Sequence, residues 1–492
     1  MSSVKEKWSA MPKTVQAATA YTICSTLQQC VSFVTLPLFA RLLTKEQYGQ
    51  VTVYISWQGI FQILLTLNLA YGSFSTAMMK FEKDRDGYIS AVQGICIALS
   101  AVFFAIYFPL RGLWNDLFEL PTGIICILVA EVLSLTAFQL WSGKKRFEYK
   151  YISVVIVTLV TSFLSPVVQY ILVVNSTEKG YARIVGSAAM NILAGVILFT
   201  LNMVRGKKAL EKKYWSYALM FNVPLLAYYL SQVVFNQSDR IMISHMEGKD
   251  KAASYGVAYG FAMLLTFVLN AINNSYLPWF YEKIKEEKEE ENRSVSLGIA
   301  GLMAVLVSGV IWFAPEIILI MAGSKYSDAV QVVPPVAVSL LLLFYAQLFI
   351  NVEFYYEERK SLVYASIGAA VLNLVTNWVF IRMFGFVAAA YTTLASYIVF
   401  AVANYFAMKK VLLKRGKKDV AYDYKGLIYL FLAFAVLSAL AAVLYPILLA
   451  RIGVSVIVLG LLVIKRRQIM AFLGRLRGGA PTKEGESDTI GE

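Results

Sequence analysis

Two arginines, a set of carboxamides and one carboxylate in the middle of an apolar run are the side chains in this chain with chemistry to offer. Arg41 and Arg240 each stand near the end of an apolar run, shortly before a Tyr-Gly step. A guanidinium presents a planar fork of donors that matches phosphate oxygens, and at a membrane surface the same group can instead anchor to headgroups. Gln28, Gln29, Tyr229, Gln232, Asn236, Asn270, Asn273 and Asn274 sit in or beside apolar runs. An amide without a partner is costly in lipid, so these groups must face a polar cleft or another helix. Glu131 lies inside ILVAEVLSL (residues 127–135). Charged, it would cost about 2.5 to 3.5 kcal/mol at that depth, so it is expected to be protonated, paired or ion-bound. Asp239, next to Arg240, and Glu353 are further acidic candidates. The lone histidine, His245, and four cysteines leave too few soft ligands for a zinc or iron–sulfur site, so no metal and no cofactor is expected.

The elements that must carry these groups are membrane helices. Of 492 residues, 58% are hydrophobic and 15% charged, whereas soluble domains run near 25% charged. An ordinary cytosolic enzyme is excluded. Apolar runs of about twenty residues, enough to cross a ~30 Å hydrocarbon core, recur over 14–40, 49–71, 88–110, 120–141, 151–174, 182–204, 216–236, 253–275, 295–321, 329–352, 361–381, 386–408, 425–448 and 450–464. The pattern predicts an all-α integral membrane protein with fourteen transmembrane helices. The first run follows Lys5, Lys7 and Lys13 and is too long for a signal-peptide core, so it is expected to stay as a helix. With that numbering, 34 of the 45 Lys and Arg fall on the N-terminal side of the membrane, which predicts cytoplasmic N- and C-termini. The net charge of +14 then describes a cytoplasmic rim facing anionic lipid, as at Arg205, Lys207, Lys208, Lys212 and Lys213, and calls for no nucleic acid. His245 is expected in an outside loop, residues 281–293 in a solvated amphipathic helix, and the tail 473–492 is expected to be disordered.

The chain repeats itself. FARLLTKEQYGQVTVY (39–54) has a partner in SDRIMISHMEGKDKAASYGVAYGF (238–261), and residues 147–172 with 180–189 are echoed by 359–385 with 386–393. Six helices per repeat is an even number, so both copies enter from one side and are related by an axis along the bilayer normal. The expected organisation is a six-helix bundle over 1–204, a basic linker over 205–214, a second six-helix bundle over 215–411, two additional helices over 412–472, and the tail. A substrate site would then lie near mid-membrane between the repeats.

At these residues the sequence resembles the Wzx-type polysaccharide and oligosaccharide flippases of the multidrug/oligosaccharidyl-lipid/polysaccharide exporter superfamily. The features that carry the resemblance are ARLLTKEQYG (40–49), SDRIMI (238–243), SYGVAY (254–259), GSKYSDAVQVVPP (323–335) and NLVTNWVFIRMFGFVAAAYTT (373–393). It implies a flippase in the bacterial inner membrane that moves an undecaprenyl-diphosphate-linked oligosaccharide from the inner to the outer leaflet by alternating access, coupled to a proton or sodium gradient. The partners implied are the lipid-linked oligosaccharide, membrane lipid, and a polysaccharide polymerase and glycosyltransferases. On that reading Arg41 and Arg240 meet the diphosphate. Gln28, Gln29, Tyr229, Gln232, Asn236, Asn270, Asn273 and Asn274 meet the sugar, unless they only join helices. Glu131 and Asp239 serve ion coupling. Asn373 and Asn377, one helical turn apart, read as helix-joining amides.

Two rivals remain at this point. A multidrug antiporter of the same fold would need an apolar, aromatic pocket for organic cations, and the amide-rich helices with flanking arginines count against it. A membrane enzyme that modifies polysaccharide would need a catalytic histidine or a large outer loop, and neither is visible. An ATP-driven pump is excluded within this chain, because Gly143-Lys144, Gly206-Lys207 and Gly416-Lys417 lack the upstream glycine of a phosphate loop.

Overall fold

The computed structural model describes residues 12–288, 290–358, 360–417, 422–454 and 456, and among them there are helices and no strand. The helices are α1 (Lys13–Leu42), α2 (Lys45–Thr66), α3 (Phe74–Lys80), α4 (Arg85–Tyr107), α5 (Arg111–Phe118), α6 (Thr122–Phe147), α7 (Tyr151–Val174), α8 (Lys179–Gly206), α9 (Lys212–Asn222), α10 (Leu226–Glu247), α11 (Lys249–Lys285), α12 (Glu290–Trp312), α13 (Ala314–Ala322), α14 (Val333–Tyr355), α15 (Lys360–Phe384), α16 (Val387–Lys414) and α17 (Tyr424–Val443).

Twelve helical stretches among the described residues are long and apolar enough to cross a membrane. They coincide with every expected run except the second and the last. The second run forms α2, which at 22 residues spans about 33 Å but carries four glutamines and is half buried in protein. The run 450–464 and the tail 473–492 lie largely or wholly outside the described residues.

Several boundaries differ from expectation, each for a local reason. The run 49–71 stops as helix at Thr66, because Leu67 and Asn68 turn left-handed at φ 48° and 53°. Pro224 lacks an amide N–H and divides the run 216–236 into α9, a short 3-10 turn and α10. The run 295–321 breaks between Trp312 and Ala314, just before Pro315. Residues 281–293 do not form a separate amphipathic helix. α11 carries on to Lys285, a turn with Glu287 at φ 57° follows, and α12 starts at Glu290. His245 is exposed, as expected of a surface residue, but it sits in the last turn of α10 and not in a loop.

Contacts gather the chain into two compact units. Unit 1 comprises 1–260, 318–329 and 363–396, and unit 2 comprises 261–317, 330–362 and 397–492. In unit 1, α8 packs on α6, α7 and α4, α1 packs on α7, and α2 packs on α10. Gly195 of α8 lets two backbones approach: a Cβ there would lie 2.2 Å from that of Ser134 on α6. α2 begins with a capping box in which the Thr44 hydroxyl accepts from the Gln47 amide and the Gln47 side chain accepts from the Thr44 amide. In unit 2, α12 packs against α14 and α17.

Candidate functional site

Both acidic candidates of unit 1 are deeply buried, each about 1% exposed. Glu131, on α6, accepts from the Tyr54 hydroxyl at 2.5 Å and from the Asn191 amide at 2.7 Å, and Gln58 supplies a further hydrogen bond. Tyr54 and Gln58 are one turn apart on α2, so both reach the same carboxylate. Gln62, one turn further, donates to the Thr136 hydroxyl at 2.9 Å and extends the polar strip between α2 and α6.

Asp239, on α10, accepts from the Tyr255 hydroxyl at 2.6 Å, the Asn377 amide at 2.6 Å and the Thr393 hydroxyl at 2.8 Å. Asn377 also donates to Asn373, Asn373 donates to Thr393, and Thr392 donates to Asn377. The pair Asn373 and Asn377 therefore joins helices, as expected, and does so around a carboxylate. Each buried acid is held by one tyrosine hydroxyl and by neutral amides or hydroxyls. These donors satisfy an ionised carboxylate without neutralising it.

The amides of α1 and α10 make one matched pair of contacts. Gln28 donates to Ser162 of α7 at 3.1 Å, and Gln232 donates to Ser366 of α15 at 2.8 Å. Each bond spans 134 residues of chain, and the two are offset by 204. This offset revises the expected equivalence of Arg41 and Arg240. Arg41 is in the last turn of α1, whereas the last turn of α10 holds His245, and Arg240 lies seven residues before the end of its helix at Glu247.

The two arginines are engaged by different groups. Arg41 is exposed and donates to the carbonyl of Ile320. Arg240 donates to the Asn236 carbonyl at 3.1 Å and to Gln237 Oε1 at 2.6 Å, and its guanidinium lies 4.1 Å from the centre of the Tyr259 ring. Tyr259 in turn donates to Asn236 Oδ1 at 3.4 Å, and the Asn236 amide donates to the Gln232 carbonyl at 2.7 Å. Gln232, Asn236 and Arg240 thus run along one face of α10.

The Tyr229 ring is tilted against that of Tyr228 with ring centres 5.7 Å apart, and a Cβ at Gly72 would lie 2.9 Å from its hydroxyl. Gln29 is exposed on α1. Asn270, Asn273 and Asn274 belong to unit 2, where Asn273 accepts from Asn351 at 2.9 Å while Asn270 and Asn274 are exposed. Glu353, also in unit 2 and about 1% exposed, accepts from Ser361 at 2.8 Å. Sequence reasoning missed Tyr54, Gln58 and Asn191 as partners of Glu131, and Tyr255 and Thr393 as partners of Asp239. The helical spacing of Tyr54 and Gln58 inside an apolar run was the available signal.

No three acidic, histidine or cysteine side chains converge among the described residues as a metal site would require. What the geometry defines is a multi-pass membrane protein with carboxylates and amides buried between its helices.

The comparisons with known proteins agree. Residues 14–283 match the polysaccharide biosynthesis protein family, and the chain belongs to that family. Residues 224–379 match the MatE family. A protein of Haemophilus influenzae called Lsg locus putative protein 1 is 22% identical over 74% of this chain and 90% of its own length, and an uncharacterized membrane protein of the same organism is 22% identical over 73% and 88%. Among solved structures, the lipid II flippase MurJ in an inward closed conformation superposes with a TM-score of 0.70 at 14% identity, covering 91% of this chain and 99% of that one. A multidrug resistance MATE family transporter in an inward-facing conformation gives 0.62 at 15% identity, covering 82% and 100%. The chain is therefore a multi-pass protein of the bacterial inner membrane with the fold of the multidrug/oligosaccharidyl-lipid/polysaccharide exporter superfamily.

Proposed function

We propose that the protein moves an undecaprenyl-diphosphate-linked oligosaccharide from the inner to the outer leaflet by alternating access, coupled to a proton or sodium gradient, and that it is no enzyme. The observation that supports this most is the pair of buried carboxylates, Glu131 and Asp239, each surrounded by neutral donors in a family devoted to polysaccharide biosynthesis. A buried acid whose hydrogen bonds all come from neutral groups can exchange a proton or a monovalent ion as its surroundings open and close. On this reading the two six-helix repeats supply the moving parts. Arg41 and Arg240 pair with the diphosphate, and Gln28, Gln29, Tyr229, Gln232, Asn236, Asn270, Asn273 and Asn274 line the path of the sugar. The polyprenyl chain stays in lipid.

The test is reconstitution in proteoliposomes with a fluorescent undecaprenyl-diphosphate oligosaccharide. Transfer between leaflets should need an imposed proton or sodium gradient, and Glu131→Gln or Asp239→Asn should remove that dependence. Equal transfer with and without the gradient would defeat the coupling. Transport of organic cations in place of the glycolipid would favour the multidrug antiporter that the MatE match suggests.

A further inference from the structure

One end of unit 1 concentrates cations that the proposed transport path does not use. Tyr326, in the 3-10 segment Ser324–Val332, is fully buried, and its hydroxyl has no hydrogen-bond partner among the described residues. The ammonium groups of Lys45 and Lys325 lie 5.7 and 5.4 Å from the centre of its ring. Its edge meets Tyr48, with ring centres 6.0 Å apart. Behind Tyr48 is Arg183 of α8, whose guanidinium carbon lies 4.9 Å from the centre of the Tyr48 ring and 4.5 Å from that of Phe39.

Arg183 leaves Nη1 buried with no partner, and no carboxylate pairs with it among the described residues. Gln50 Oε1 is likewise buried and unpaired, packed one turn away against Gly180. Lys325 spends its ammonium on the backbone carbonyls of Leu43 and Arg41. The acid within reach is Asp328, and it is already shared by Lys45 at 2.8 Å, Lys251 at 3.4 Å and the Ser254 hydroxyl at 2.9 Å.

A guanidinium nitrogen buried without a partner or a counter-charge is costly unless an anion completes it. The planar fork of a guanidinium matches the oxygens of a phosphate. Two ammonium groups gathered over one tyrosine ring repel each other unless negative charge is supplied between them. We propose that Arg183, Lys45, Lys325 and the Tyr326 hydroxyl form a binding site for a phosphate-type anion, with Asp328 as a resident competitor for Lys45. The site takes either a lipid headgroup phosphate or the diphosphate of the transported lipid. The second source rests on the flippase reading above, and the anion chemistry does not. In the predicted topology this end faces outward, which makes it a station on the release side for a diphosphate that has crossed.

The experiment is a titration of full-length protein with inorganic pyrophosphate, read by calorimetry, in nanodiscs made of phosphatidylcholine alone. Wild type should bind saturably. Lys325→Gln and Arg183→Gln should each weaken binding about tenfold or more, and Asp328→Asn should tighten it by removing the competitor. Lys325 is exposed, so Lys325→Gln tests the site even where Arg183→Gln lowers the yield of folded protein. Repeating the titration in discs containing phosphatidylglycerol separates the sources. Weakened pyrophosphate binding there assigns the site to headgroups, and unchanged binding assigns it to diphosphate. Absence of saturable binding in phosphatidylcholine discs, or binding that Lys325→Gln leaves unaltered, overturns the proposal. Pyrophosphate binding in a protein that moves no glycolipid would sink the flippase reading and leave this site standing.

Discussion

The Tyr54 hydroxyl stands 2.5 Å from Oε2 of Glu131, across the packed contact of α2 and α6. Removing that hydroxyl leaves a buried carboxylate oxygen short of a donor, which costs about 1 to 3 kcal/mol. Tyr54→Phe should therefore lower the thermal unfolding temperature in detergent. Glu131→Gln should cost less, because its amide can still accept from the tyrosine. The explanation fails if Tyr54→Phe unfolds with the wild type.

The amide of Asn377, 2.6 Å from Asp239 Oδ1, is the contact most sensitive to charge in the second network. Asn377→Asp would place two carboxylates side by side in the interior, and like charges at that distance cannot both ionise. It should yield less folded protein than Asn377→Ala, which removes a donor to Asp239 without adding a second charge. Size-exclusion profiles of the two variants decide it, and the reverse order would count against an ionised Asp239.

The Gln28–Ser162 and Gln232–Ser366 bonds occupy corresponding places in the two repeats, so they should contribute alike. Interhelical bonds of this kind average about 0.6 kcal/mol in membrane proteins. Double-mutant cycles with alanine at each pair should return coupling energies near that value in both repeats. A much larger transport defect than stability defect at Gln232 would point to sugar contact in addition to joining α10 to α15.

Gly49 lies where α2 meets the first residue of α11. A Cβ at that position would fall 1.9 Å from the carbonyl oxygen of Lys249 and 2.5 Å from its carbon. Backbone atoms cannot swing aside as a side chain can, so Gly49→Ala should destabilise by about 1 to 3 kcal/mol, the usual range for overpacking. Wild-type unfolding behaviour in this variant would show that the two segments separate freely.

Acid sensitivity should reside partly in unit 2. The Arg451 guanidinium, hydrogen-bonded to both carboxylate oxygens of Glu316 at 2.6 and 2.7 Å, holds that carboxyl below the usual carboxylate range. A depressed carboxyl stabilises the fold above its unfolded value and loses that contribution as pH falls through its folded value. Glu316→Gln should flatten the decline of unfolding temperature at acid pH, below the ordinary glutamate range, while lowering stability at neutral pH by removing the carboxylate charge that faces Arg451. An unchanged acid limb would remove Glu316 from the account.

The class of protein and its helical segments were readable from the chain alone. Run length and the near absence of charge inside the runs are local properties, and in a hydrocarbon solvent a backbone that must satisfy its own hydrogen bonds has little choice but helix. The exposure of Glu131 as a problem to be solved was likewise legible, because a lone carboxylate in ILVAEVLSL must find partners wherever it goes. Which partners it found was decided only by tertiary packing. Tyr54 and Asn191 lie 77 and 60 residues from Glu131, and Asn377 and Thr393 lie 138 and 154 from Asp239. The same holds for the register of the repeat, where the matched amide–hydroxyl bonds align Arg41 with His245 and not with Arg240. Hydrophobic periodicity specifies that helices form, while the rotation and pairing of those helices depend on small residues such as Gly49 and Gly195 and on scattered polar contacts that no single segment contains.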